Sequence, residues 1–414
     1  MNGLRHPERV VDAVAASVFV QFAGATAVLP MLPLYLRREH TSVGLVGVVM
    51  ASFFAAGVLT QYAAGHLSDR IGHRRIMLVG LAIYAISSVG FLGSFGPAWY
   101  VVLRSLQGLG AGALQLGGLA LVGLVVPLER RGRAFSRVFA AQLAGMAVGP
   151  IIGSAAGLGH IQLFFVISAI GALVGMVPLL RWATPVAASH AQADRVPLRI
   201  SRGLVGVVLV GMIGGVCAGV YETCWSLLLT TRHAAQWQIG LSWTMFAGSF
   251  AIFSPIAGPL IDRLDRRRLA IGGMSLSTAF IVVYPFIPQP IWLIGLGSIE
   301  AVGVAIGLPA AQSLLSQLAA PGALGRAQGL FTTAENGAIA VAAAMSGYLF
   351  AVHRALPFVA GAAIATALTL LLPGLWKDVV GRAEHAARDE PHAGDEPVVV
   401  APSASPAAAG SLLT

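Results

Sequence analysis

Glu222, Glu300 and Glu335 stand inside long apolar stretches in the second half of the chain, and Arg104 stands in such a stretch of the first half. Ionisable side chains in an apolar setting are costly, so each is expected to face a cavity or a partner. A carboxyl group in such a setting resists ionisation, so it can hold a proton at neutral pH and release it when access or a nearby cation changes the local field. This is the chemistry of reversible proton binding.

Aromatic residues accompany the first of these acids, since Tyr221 and Trp225 flank Glu222. Their rings could stack on a cationic or planar ligand. For the two rings taken alone, the sequence favours anchoring of a helix at the lipid interface. The alternative for each glutamate is a structural residue that is protonated and hydrogen-bonded to another helix. We hypothesise that Glu222 and Glu300 contribute to proton coupling or cation binding.

The composition indicates which elements position these residues. Of 414 residues, 57% are hydrophobic and only 10% are charged, whereas a soluble globular protein has about 25% charged residues. A membrane-spanning helix needs about 20 apolar residues, and barrel strands are about 10 residues of alternating character. The apolar runs therefore predict an all-α membrane protein with 12 transmembrane helices, at 12–36, 43–67, 75–95, 98–126, 134–158, 161–182, 203–230, 237–261, 268–287, 290–317, 325–351 and 354–376.

Several function classes are disfavoured. The basic residues lie in short clusters between apolar runs, which argues against nucleic-acid binding. Cys217 and Cys224 share one apolar segment, so they are read as packing residues and not as a disulfide framework or zinc site. No catalytic triad, nucleotide-binding loop or metal-ligand spacing stands out. We expect no enzyme activity, no cofactor, no metal and no direct use of ATP.

The predicted helices form two groups of six. The expected organisation is an N-terminal segment 1–11, a six-helix bundle 12–182, a polar linker 183–202, a second bundle 203–376 and a disordered tail 377–414. The side of the membrane that would carry both termini holds 21 of the 26 basic residues. The positive-inside rule therefore predicts that both termini lie in the cytoplasm, together with segments 1–11, 183–202 and 377–414.

The two bundles also repeat each other when residue numbers are shifted by 193. Trp99 then matches Trp292, and the Asp69-Arg70 pair matches Asp262-Arg263. The same shift matches Gln107 to Glu300 and Gln142 to Glu335, so polar positions of the first bundle are ionisable in the second. Two pseudo-symmetric bundles of this kind indicate a transporter with its site between them, near the middle of the membrane.

The loop between the second and third predicted helices carries a motif that resembles the loop signature of the major facilitator superfamily. Its residues are Gly65, Asp69, Arg70, Gly72 and Arg74, and its second copy contains Gly258, Asp262 and Arg263 but has Asp265 where Gly72 stands. The resemblance implies a latch that steadies one conformation. The alternative is a charged loop that merely obeys the positive-inside rule.

Two further motifs resemble signatures of the same superfamily. Arg104 and Gln107 precede a glycine-rich segment of the fourth span, and the resemblance implies a role for Arg104 in proton transfer, structural pairing being the alternative. Gly145, Gly149, Pro150 and Gly153 of the fifth span are similar to the antiporter signature, except that Ser154 replaces its last glycine. The alternative is a generic small-residue packing face.

The resemblance implies two six-helix bundles around a cavity that opens alternately to each side. Within the superfamily the chain is most similar to the twelve-span drug/proton antiporter branch, which implies a monomeric multi-pass protein of the cell (inner) membrane that exports small amphipathic molecules in exchange for protons. Two alternatives stay open. The protein could transport one specific metabolite, such as a sugar or an amino acid, or it could be a non-transporting membrane receptor.

Overall fold

The computed structural model describes residues 7–127, 130–182, 198–320, 323–377 and 379. Within this part the chain is helical and contains no strand, as predicted. Side chains at 61–71, which include Gly65, Asp69 and Arg70, lie outside the described part, as do most of the linker and tail. The helices are α1 (Pro7–Val28), α2 (Leu32–Arg38), α3 (Val43–Ile71), α4 (His73–Gly90), α5 (Pro97–Val125), α6 (Arg131–Ala156), α7 (Ile161–Trp182), α8 (Arg202–Thr231), α9 (Gln236–Arg263), α10 (Arg266–Val283), α11 (Pro290–Leu318), α12 (Leu324–Val352) and α13 (Leu356–Leu375).

The first predicted span is not one continuous helix. Residues 29–31 form a turn between α1 and α2. Pro30 has no backbone N–H to donate and disfavours helical geometry at Leu29, which accounts for the break. The expectation of one uninterrupted run over 12–36 was therefore wrong.

Eleven of the spans in the described part are long and apolar enough to cross a membrane. The remaining one is α4, which occupies the position of the third predicted span. It begins with His73, Arg74 and Arg75, and these three residues offset the apolar run that follows. Large apolar side chains are exposed on the outer surface of the bundle, for example Ile86 (71%) and Leu370 (74%). An apolar outer surface of this kind suits lipid and not water.

The helix packing repeats between the N-half, α1–α7, and the C-half, α8–α13. In the N-half α1 packs on α6 and α7, α5 packs on α3 and α4, and α4 packs on α7. The equivalent pairs at the offset of 193 residues, α8 with α12 and α13, α11 with α9 and α10, and α10 with α13, are all present. The duplicated sequence therefore folds into two copies of one arrangement. The halves contact each other chiefly through α3 with α12 and α6 with α9.

Small residues bring the innermost helices together, but the two halves place them on different partners. In the N-half, Gly145, Gly149 and Gly153 of α6 face the backbone of α1, where an added Cβ would collide. In the C-half the glycines stand on α8, where Gly215 and Gly219 face α12. Close backbone approach is a common way for membrane helices to associate.

Successive spans alternate in direction, so α1 begins and α13 ends at the same end of the bundle, termed the terminal end. The two halves touch at the other end, termed the opposite end. There a Cβ added to Gly47 of α3 would strike the α12 backbone at Ala343, and one added to Gly347 would strike the α3 backbone at Val43.

On the other side of the bundle, α6 meets α9 at the opposite end. Gln236 Oε1 accepts a hydrogen bond from the backbone N–H of Leu158 at 2.8 Å. Toward the terminal end, no atom of the described chain lies within 4 Å of the Cβ position of Gly248 of α9 or of Gly325 and Gly329 of α12. The close contacts that the structure describes between the halves therefore lie at the opposite end.

Candidate functional site

The N-half contributes a buried cation among neutral groups. Arg104 lies about 10 Å along α5 from the opposite end, and it is 6% exposed. Its Nη1 donates to Gln107 Oε1 at 3.1 Å, and Gln107 Nε2 donates to Ser88 Oγ at 3.1 Å. The guanidinium carbon lies 4.4 Å from the centroid of the Phe53 ring. Arg104 thus forms no ion pair with an acid of the described chain.

The C-half contributes a buried acid among hydroxyl groups. Glu300 of α11 is 1% exposed. Its Oε1 accepts from Tyr221 at 2.9 Å and from Ser277 at 2.5 Å, and its Oε2 accepts from Tyr284 at 2.6 Å. Three hydroxyl donors can stabilise an ionised carboxylate, and a hydroxyl can also accept from the protonated form. No cation locks this acid in one protonation state among the described residues.

The aromatic residues beside Glu222 lie inside the protein. Tyr221 donates to Glu300, and Trp225 is 7% exposed and donates from Nε1 to Ser242 Oγ at 2.8 Å. The rings of Tyr221, Trp225 and Tyr284 pack edge to face, with centroids 5.0 to 6.1 Å apart. Anchoring at the lipid interface, which the sequence favoured for Tyr221 and Trp225 alone, is therefore wrong, because both polar ends are satisfied by the C-half interior.

Glu222 differs from Glu300 in its surroundings. It stands on α8 about 14 Å from the opposite end, and it interacts electrostatically with Arg104 of the other half. Its Oε2 is buried and has no hydrogen-bond partner in the described chain. The structure thus places Glu222 near Arg104, and Glu300 with Tyr221.

Glu335 stands apart from both acids. It lies on α12 about 17 Å from the terminal end, where Gly215 of α8 packs against its backbone. It shares no hydrogen bond or ion pair with Glu222, Glu300 or Arg104. The three acids that the sequence grouped together therefore occupy three different environments.

The residues of the antiporter motif are packing residues in this conformation. Gly145, Gly149 and Gly153 bring α6 onto α1, and the Gly145 carbonyl accepts from Thr26 Oγ1 at 3.2 Å. Pro150 and Ser154 face Gly240 of α9. The motif thus lies at the closed junction of the two halves.

The loop motif contains a tight turn in the N-half and a side-chain cap in the C-half. Gly72 precedes α4 with φ +92°, a conformation that favours glycine. Asp265 instead has φ −66° and caps α10 by accepting from the Arg267 backbone N–H at 2.9 Å. This difference explains why the second copy of the motif can do without the glycine.

Arginines of the two loop motifs bind helix ends in both halves. Arg74 donates to the carbonyls of Leu179 and Leu180 at the end of α7, at 3.1 and 2.9 Å. Arg267, its equivalent, donates to the carbonyls of Trp376 and Val379 beyond α13. Asp262 lies 3.6 Å from Arg266, and Arg263 is exposed.

Sequence reasoning missed three polar partners, namely Ser277, Tyr284 and Ser242. The offset of 193 residues offered one signal, since Ser277 matches Tyr84, which borders a small cavity in the N-half together with Arg104 and Gln107. A hydroxyl thus stands beside the polar residues of the central helices in both halves. Within the described chain no group of three or more His, Cys, Asp or Glu side chains could hold a metal ion.

Known relatives resemble the chain over much of its length. It is 26% identical over 291 residues to multidrug resistance protein 2 of Bacillus subtilis (strain 168), covering 65% of this chain and 70% of that protein. It is 27% identical to the synaptic vesicular amine transporter of Mus musculus, and the match covers 66% of this chain and 53% of that protein. It is 27% identical to the class G tetracycline resistance protein of Vibrio anguillarum, and the match covers 76% of this chain and 83% of that protein.

The fold has close structural neighbours. A crystal structure of the nucleoside transporter NupG superposes with a TM-score of 0.72 at 13% identity, covering 89% of this chain and all of that one. The family model of the Major Facilitator Superfamily matches twice, at residues 14–221 and 207–413. With its duplicated six-helix halves and its family match over both, the chain belongs to the Major Facilitator Superfamily of membrane transporters.

Proposed function

We propose that this transporter is a proton-coupled antiporter of the cell membrane that exports small amphipathic molecules by alternating access. The observation that carries the proposal is the buried Glu300 carboxyl, which has three hydroxyl partners and no cation. An acid paired with a cation would stay ionised, whereas one among hydroxyls can exchange its proton. The acid lies beneath the closed opposite end of the bundle.

The direction of transport is proposed from the distribution of charge. With 21 of 26 basic residues on one side, the terminal end faces the cytoplasm under the positive-inside rule. The close contacts between the halves at the opposite end then support a conformation that gives access from the cytoplasm. The motif of Gly145, Gly149, Pro150 and Gly153 at the junction of the halves supports exchange. The relatives named for multidrug and tetracycline resistance support drug-like molecules as substrates.

Inside-out vesicles with an imposed proton gradient test this function. A pH-sensitive dye reports proton release while lipophilic cations, neutral drugs, sugars and amino acids are added in turn. We expect wild type to release protons with the amphipathic compounds, Glu300→Gln to release none, and the loop variant Glu39→Gln to behave like wild type. Unchanged proton release by Glu300→Gln would contradict this role of Glu300.

A transporter of one specific metabolite is the second candidate, because closely spaced polar groups favour a selective site. Arg104, Gln107 and Ser88 form one hydrogen-bonded chain, and one relative is named for amine transport. If only one chemical class of compound in the same panel triggers proton release, the result would support this candidate. A folded protein that moves no compound of any class would instead support the receptor alternative.

A further inference from the structure

Two groups of opposite charge lie at similar depth on either side of the boundary between the halves, within electrostatic range of each other. Arg104 belongs to α5 of the N-half and Glu222 to α8 of the C-half. They interact electrostatically, but no hydrogen bond or ion pair joins them. Both lie about 10 to 14 Å below the closed opposite end, counted along their helices.

Each member of this pair has an unused hydrogen-bonding atom. Within the described chain, Arg104 Nε is buried without an acceptor and Glu222 Oε2 is buried without a donor. Buried polar atoms in proteins are nearly always hydrogen-bonded, so an unpartnered donor and acceptor of opposite charge need an explanation. A molecule that carries an acceptor for Arg104 and a donor for Glu222 would satisfy both.

Helix α9 provides additional groups at the same depth. Trp243 Nε1 and Thr244 Oγ1 are buried without partners in the described chain, and they lie about 10 to 12 Å from the start of α9. The Phe53 ring, under the Arg104 guanidinium, adds an apolar surface. These groups suit a ligand with an aromatic or aliphatic body and a polar, dipolar end.

We propose that Arg104 and Glu222 together bind the substrate, and that they select a molecule bearing both a cationic and an anionic group, a zwitterionic amphipath, over a simple lipophilic cation. The inference rests on the proposed function and narrows its substrate class. A lone cation attracted to Glu222 is repelled by Arg104, and a lone anion meets the reverse. The zwitterion is attracted by both residues.

Three probes with one apolar body test the selection. Naphthylalanine carries an amine and a carboxylate, naphthylethylamine carries only the amine, and naphthylpropionate carries only the carboxylate. Equilibrium binding of each is measured to purified protein in lipid nanodiscs, without a proton gradient. Wild type is expected to bind naphthylalanine at least about tenfold more tightly than either of the others.

The variants distinguish charge selection from structural damage. Arg104→Gln should bind naphthylethylamine about tenfold more tightly than wild type does. Glu222→Gln should bind naphthylpropionate more tightly than wild type by a similar factor. Arg104→Lys should keep the wild-type order, and Glu39→Gln, at the C-terminal end of α2, should change nothing. Size-exclusion profiles and melting curves establish that each variant is folded.

The inference is overturned if folded wild type binds the amine as tightly as the amino acid, if it binds none of the three, or if both variants weaken all probes equally. The test is independent of proton coupling. If the Arg104 and Glu222 variants change their charge preference but the vesicles release no protons, only the antiport mechanism is contradicted. If the vesicles release protons but the variants keep the wild-type preference, only the substrate selection is contradicted.

Discussion

The centres of the two halves have equivalent positions but different chemistry. Gln107 and Glu300 correspond at the offset of 193 residues. Gln107 is a neutral amide that orients a permanent cation, Arg104, whereas Glu300 is an acid held by three neutral hydroxyls. Duplication has thus kept the backbone arrangement while one copy carries a fixed charge and the other a group that can titrate. In the antiport mechanism proposed above, the constant charge would attract the substrate and the variable group would carry the proton.

Exchanging these two residues should have the largest effect. Glu300→Gln gives the C-half the same neutral amide that Gln107 provides at the equivalent position of the N-half, and proton-driven efflux is expected to be lost while substrate exchange without a gradient persists. Gln107→Glu puts an acid beside Arg104, and the resulting ion pair should lower affinity for zwitterionic probes by about tenfold. Vesicle flux and equilibrium binding measure the two effects. Equal losses of exchange in both variants would show that the two positions are not functionally distinct.

A second comparison concerns the glycine faces. Gly153→Leu in α6 and Gly219→Leu in α8 each push a side chain into the backbone of a neighbouring helix, and overpacking of this kind costs about 1–3 kcal/mol. Both variants should melt at lower temperature than wild type. Gly248→Leu, at a position with no packing neighbour, is the control. If all three melt alike, the close approach does not govern stability.

Removing either of the equivalent arginines Arg74 and Arg267 should lower stability by a smaller amount. Arg74→Ala and Arg267→Ala should each destabilise by about 1–2 kcal/mol, because each removes charge-assisted hydrogen bonds to helix-end carbonyls. Arg267→Ala should lose somewhat more than Arg74→Ala, because Arg267 also pairs with Asp265 at 2.8 Å, whereas Gly72 stands at the equivalent position of the N-half. Thermal melting of both variants and of the exposed-residue control Arg263→Ala measures the losses. A large loss in only one half would break the equivalence.

Replacing Asp265 should give the smallest change in stability, and this change should depend on pH. Partial burial raises the pKa of its carboxyl, but hydrogen bonds and charge from Arg267, with the charge of Arg268, outweigh this and lower the pKa below the ordinary 3.8. An acid whose pKa is lowered by folding stabilises the folded state above its ordinary pKa, and this contribution is lost as pH falls through the lowered value. Asp265→Asn should therefore melt below wild type at neutral pH, and the difference should shrink below about pH 4. A difference independent of pH would exclude the ion pair as its cause.

Most of the fold could be predicted from the sequence because long apolar runs and a repeated offset are strong, local signals. The break at Pro30 was missed because hydropathy alone does not register a missing N–H. The partners of the acids could not be predicted in the same way. Whether Tyr284 meets Glu300 depends on the rotation of each helix about its axis, and an apolar run does not encode that rotation. The inward position of Trp225 was missed for the same reason.

The contact of α3 with α12 at the opposite end depends on glycines, with Gly47 against the backbone of Ala343 and Gly44 under the Tyr348 ring. The backbone groups in these surfaces already hydrogen-bond within their own helices, so separating them leaves no donor or acceptor stranded. Where Gly47 meets Ala343, backbone packs on backbone, so little rotamer entropy changes as these surfaces part. Separation of the two helices there therefore costs mainly van der Waals packing and few hydrogen bonds.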